Sequence, residues 1–142
     1  MAETLTPRTA PASSKAAIPR ELAEELRTFA YALMGQGPLA EQIAIEVLTN
    51  AIRQYGVAVS RIIAMERVLL LSRYLGPRNG GFERPADAPL RKLSFEQRAV
   101  VALRAFLHIP LEQRLCVLAC TEDQERTIWR QAVAAMLEDE HS

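Results

Sequence analysis

Cys116, Cys120 and His108 are the residues of this 142-residue chain best suited to chemistry. The two cysteines stand four positions apart, about one turn of a helix, with His108 a short way upstream. That grouping suggests either a metal site or a thiol nucleophile. Structural zinc takes four ligands, usually in tight paired spacings, and no fourth is evident. A thiol nucleophile needs a base that a third group orients, and His108 falls in a turn while His141 lies at the chain end. Small thiols packing a helix are the better reading. The glycines at 76, 80 and 81 follow a helical pattern and not a strand, so they do not form a phosphate-binding loop. Carboxylates are plentiful, yet none sits in an identifiable cleft. The residues therefore predict no catalysis, no metal and no cofactor, and direct the reading towards binding.

The elements that hold these residues read as helices throughout. Ser94 is followed three positions later by Gln97, and Thr121 by Gln124. In each pair the hydroxyl can accept from an orphan N–H of the first turn while the glutamine reaches back to the cap. Pro110 suits the start of a helix between them, where a missing N–H costs nothing. The spacing predicts inward faces of Ala99, Ala102, Leu103 and Phe106, then Leu111, Leu115 and Leu118, then Ile128, Trp129, Ala132 and Met136. Three helices this short must pack on one another, which is the outline of a helix-turn-helix unit. Trp129, in phase with Ile128 and Ala132, is expected in the core; exposed, it would be a strong interface anchor.

Three more helices are expected upstream. The first runs from Pro19 to just before Gly35, with Leu22, Leu26, Phe29, Ala30 and Leu33 inward and Glu21, Glu24 and Glu25 in its first turns. Pro38 opens the second, which turns Leu39, Ile43, Val47, Leu48 and Ile52 inward and Glu41, Gln42, Glu46 and Asn50 outward before Gly56 ends it. The third, from about Val57 to Tyr74, is apolar nearly all round, which marks either a central helix or one with a face left for a partner. The fold class is thus all-α. Residues 1–18 read as a flexible tail, 19–75 as one small helical unit, 76–92 as a Gly/Pro linker and 93–140 as a second unit.

Charge is balanced overall, with 17 basic and 17 acidic residues. The two parts differ: 12 basic face 9 acidic residues over 1–92, and 5 face 8 over 93–142. A free-standing DNA reader gathers phosphates on a basic face. Here the segment shaped like a reader is the acidic one. No secretory signal is apparent, and Val68–Leu71 is too short an apolar run to span a bilayer, so a cytoplasmic protein is expected.

The stretch QRAVVALRAFLHIPLEQRLCVLACTEDQERTIWRQAVAAML resembles region 4 of the extracytoplasmic-function sigma factors, in which a glutamine-arginine pair opens the first helix. It is most similar to the sigma-like domain of the alphaproteobacterial PhyR-type response regulators. ELRTFAYALMGQGPLAEQIAIEVLTNAI resembles the start of sigma region 2, where a helix ending in a glycine turn precedes an acidic helix. The resemblance covers most of 19–138 and implies a region 2-like three-helix unit joined to a region 4-like helix-turn-helix. It departs from the family at three points. Glu125 aligns with a usual apolar residue, Leu115 with a small one, and His108 with the glycine of the first turn.

The resemblance implies that Glu41, Gln42 and Glu46 contact a partner, since the acidic helix of sigma region 2 grips the polymerase clamp. Arg126 and Arg130 on the last helix complete the candidate partner-binding set, against the plain alternative of solvated helix faces. The N-terminal residues of a reading helix enter the major groove, and here they are Glu122, Asp123, Gln124, Glu125 and Arg126. Three carboxylates would be repelled by phosphate. Val57–Tyr74 carries one aromatic, Tyr74, where base stacking needs several. The leading expectation is a sigma-like transcriptional regulator that sequesters an anti-sigma factor by mimicry, with weak or indirect DNA contact. A divergent activator bound to core RNA polymerase is the second reading, and a helical adaptor without a transcription role the third.

Overall fold

The computed structural model describes residues 10–35, 37–56, 59–78, 90 and 92–141. Every regular element among them is helical. In chain order they are α1 (Ala10–Met34), α2 (Pro38–Tyr55), α3 (Arg61–Arg78), α4 (Phe95–Val101), a π-helical continuation (Ala102–Phe106), α5 (Leu111–Leu118) and α6 (Glu122–His141). The all-α expectation holds.

α1 begins at Ala10, nine positions ahead of the expected start at Pro19. Ala10, Ala12, Ala16 and Ala17 are strong helix formers within this stretch, and the helix runs on through Pro19. Glu21, Glu24 and Glu25 therefore lie mid-helix, and the first turn of α1 carries no acid. The expected inward stripe is buried throughout: Leu22, Leu26, Phe29, Ala30 and Leu33 are each no more than 1% exposed. Gly35 ends the helix at φ 89°, a conformation that costs glycine little.

α2 opens on Pro38 and buries Ala40, Ile43, Ala44, Val47 and Ala51. Gly56 closes it at φ 76°, its N–H donating to the Ile52 carbonyl. A Cβ there would touch nothing within 4 Å, so any penalty for a side chain is purely conformational. Gly56→Ala is expected to lower stability by about 1 kcal/mol in urea unfolding. An unchanged midpoint would show that the turn relaxes freely.

α3 buries Ala64, Met65, Val68 and Leu69, and packs against both α1 and α2. It continues to Arg78, through Gly76 and Pro77, which the glycine and proline pattern assigns to the linker. Packing explains the extra turn: Leu75 lies against the core and draws the chain on. At its other end α3 begins at Arg61, later than the expected start near Val57, since Val59 and Ser60 are not helical. Val57 itself lies outside the described residues, as does most of the expected linker. The end of that linker is not inert, since Leu90 is 4% exposed, as is Leu93 just beyond it.

The capping signals around α4 and α6 are realised. Gln97 N–H donates to Ser94 Oγ at 3.2 Å while Ser94 N–H donates to Gln97 Oε1 at 3.0 Å. Gln124 N–H donates to Thr121 Oγ1 at 3.2 Å, and Thr121 N–H to Gln124 Oε1 at 2.9 Å. Phe106, expected inward with Ala102 and Leu103, is 40% exposed. The cause is the π-helical stretch, in which Leu107 N–H donates back five residues to the Ala102 carbonyl and rotates the end of the helix out of its regular phase.

The buried apolar residues form one continuous cluster drawn from both ends of the chain. Phe29, Ile43 and Met65 belong to it, and so do Leu103, Ile109, Val117 and Ala132. α1 packs on α4 and α3 on α5. Arg73 donates to Glu96 at 2.8 Å, tying the end of α3 to the start of α4. The two expected units are therefore in direct contact.

Candidate partner-binding groove

The apolar surplus of α3 leaves part of its surface exposed beside α2. With Ala64, Met65, Val68 and Leu69 turned inward, Leu70 and Tyr74 remain 54% and 55% exposed. Beside them, Leu71 from the same helix and Val47 from α2 floor an open hollow of about 370 Å³. Glu46 and Asn50 form its α2 rim, and Arg67 its α3 rim. Arg67 is held in place: its Nη2 donates to Tyr55 Oη at 3.3 Å, and its guanidinium lies 5.4 Å from the Tyr55 ring centroid. Glu46 makes no such commitment and is exposed. The result is an apolar floor between charged edges, the pattern that accepts the apolar side of an amphipathic segment.

The structure separates the expected contact residues into two groups. Gln42 and Glu46 are exposed on α2, and Glu46 lines the groove. Glu41 faces the other side of α2, towards α1, with its Oε1 3.4 Å from Arg27 Nε. Arg126 and Arg130 are exposed on α6, which packs on α4 and α5. Arg126 is already bound, donating to Asp123 at 2.9 Å and to Glu122 at 3.2 Å, both on its own helix. No residue of α6 lines the α2–α3 groove. Sequence reasoning did not single out Leu70 as a groove-lining residue, because an apolar position in an apolar helix carries no mark of exposure.

Glu125 is the principal correction. It is not one of the carboxylates on the reading face of α6; it is 2% exposed. Arg114 Nε donates to its Oε2 at 2.6 Å and Arg114 Nη2 to its Oε1 at 3.4 Å, a two-pronged pair between α5 and α6. Arg114 Nη1 also donates to the Ile109 carbonyl at 2.9 Å. Arg104 stands 3.8 Å from the same carboxylate and 4.5 Å from the Trp129 ring centroid. The charge at the expected apolar position thus has a built-in counter-charge. α5 accordingly buries Arg114 and Val117, whereas Leu111, Leu115 and Leu118 are only half-buried. Trp129 is half-buried against the core, roofed by Arg104.

His108 adopts φ 53°, so a backbone turn of the kind glycine usually makes is here made by histidine. Both cysteines are free, Cys116 exposed and Cys120 half-buried. Burial, reinforced by the Glu125 and then the Glu96 carboxylate, pushes the Cys120 thiol above its ordinary range, the opposite of what activates a nucleophile. Among the described residues, no group of three or more His, Cys, Asp or Glu is placed to hold a metal ion. Near the start of α3, burial raises Glu25 above the ordinary carboxylate range, opposed by Arg61 at 3.6 Å and assisted by Glu21.

Comparison with protein-family models, curated proteins and solved structures gives no match. No helix among the described residues is long and apolar enough to cross a membrane.

Proposed function

We propose that this protein is a sigma-like transcriptional regulator that works through protein contacts, sequestering an anti-sigma factor by seating a short amphipathic helix of it in the α2–α3 groove. The observation that carries this reading is the exposure of Leu70 and Tyr74 beside Val47 and Leu71; of the large apolar side chains exposed among the described residues, these two line the α2–α3 groove. A leucine and an aromatic side by side over a charged rim match the anchor pattern of helix-in-groove recognition.

The surface of α6 supports protein contact over DNA contact. Glu122 and Asp123 are exposed at its N-terminus, and Arg126, the cation nearest them, is bound to both. A groove-reading helix needs surplus positive charge at that point, and here there is none. The second reading, an activator bound to core RNA polymerase, draws on the exposure of Gln42 and Glu46 on α2.

Affinity purification of the tagged chain from its native cells, with mass spectrometry, tests the two together. A small helical anti-sigma protein recovered without polymerase supports mimicry; the β and β′ polymerase subunits support the activator. Tyr74→Ala and Leu70→Asp are each expected to weaken capture of the helical partner by about tenfold or more. Capture unaffected by both substitutions would exclude the groove as the seat of that partner.

A further inference from the structure

We infer that α5 is a strained keystone: it opens as a unit, loaded by left-handed backbone at both of its ends and held shut by the buried Arg114–Glu125 pair. This rests on the backbone and that pair alone, and is independent of any partner.

The loading is visible at each boundary. His108, just ahead of α5, adopts φ 53°, and Ala119, which ends it, adopts φ 54°. Neither is glycine. Ala119 occupies the position where helices most often place glycine, because a Cβ in this region meets the neighbouring backbone. Immediately upstream the chain is π-helical over Ala102–Phe106, and Ile109 N–H spans six residues to donate to the Leu103 carbonyl. Unfavourable conformations of this kind persist only where the surrounding structure imposes them.

Little apolar packing does the imposing. α5 has eight residues, too few to be stable alone, and only Arg114 and Val117 of them are buried. The polar latch supplies the rest. Arg114 binds Glu125 of α6 through two nitrogens and the Ile109 carbonyl through a third, so one side chain secures both the turn before α5 and the helix after it. Strain, a short helix and one polar latch together define a segment of low local stability. Because α5 also packs on α3, its opening loosens the α3 side of the molecule from the C-terminal helices without unfolding α1 and α2.

Native-state hydrogen exchange on the full chain, in a series of sub-denaturing urea concentrations, tests this. The α5 amides are expected to exchange together and with little urea dependence, the mark of a small opening, while α1 and α2 amides follow the urea-sensitive global process. Ala119→Gly and His108→Gly are each expected to slow α5 exchange by about threefold or more, the relief of strain exceeding the added chain freedom of glycine. Ala119→Asn, which tolerates the left-handed region without that freedom, should act in the same direction. Glu125→Gln is expected to speed the urea-insensitive exchange of α5 by roughly tenfold or more. The inference is overturned if α5 amides share the urea dependence of α1 and α2, if they exchange at unrelated individual rates, or if the Ala119 and His108 variants leave them unchanged. Should Glu125→Gln not fold, the other three variants decide the matter.

Discussion

Glu125→Ala is expected to lower folding stability by about 3–5 kcal/mol, read from urea or thermal unfolding. The magnitude comes from what is left behind. The Arg114 side chain is 11% exposed and gives two of its donors to Glu125. Removing the carboxylate strands a guanidinium in a place water scarcely reaches, with Arg104 nearby to repel it. Replacing both partners has a different consequence. Arg114→Met with Glu125→Leu removes the two desolvation penalties along with the attraction, and is expected to recover most of the stability lost by the single variant. A single-variant loss below about 1 kcal/mol would mean that the pair is effectively solvated, against its burial in the structure.

Phe29→Ala is expected to cost about 3–5 kcal/mol, through lost transfer energy and the cavity left in a site that is 0% exposed. Its more informative consequence lies at the other end of the chain. Trp129 is the sole tryptophan and belongs to α6, whereas Phe29 belongs to α1. Since Phe29 and the residues under Trp129 share one apolar cluster, the tryptophan fluorescence midpoint should fall together with the far-UV circular dichroism midpoint. A Trp129 transition that stays where it was, while helicity is lost earlier, would mean that the two ends unfold as independent units and that the contact between them is weak.

The parts of this fold legible in the sequence are those set by local chemistry. A hydroxyl three residues ahead of a glutamine specifies a helix start wherever it occurs, and both such pairs form reciprocal caps. The α1 stripe from Leu22 to Leu33 is buried as its period requires, because five apolar residues on one face leave no other orientation open. Boundaries are less legible. Ala10–Ile18 belongs to a helix whose alanines are hidden among tail-like neighbours, and α3 extends past Tyr74 because its last turn packs on the core.

The candidate site is legible only in part. Gln42 and Glu46 can be placed on the outer face of α2 from their phase against Ile43 and Val47. That Glu46 borders an apolar hollow depends on which of the apolar positions in α3 its neighbours leave uncovered, and periodicity does not rank them. Arg126 is legible as an exposed cation but not as one already bound by Glu122 and Asp123.

The sequence by itself determined six helical segments, the two reciprocal caps and the inward face of α1, since these arise from interactions among residues a few positions apart. The tertiary structure alone decided that Glu125 is buried against Arg114 and that Leu70 and Tyr74 are left in the open. Those outcomes depend on which surface of one helix meets another, and the burial of a charge is settled by the partner waiting there, eleven residues away in this case.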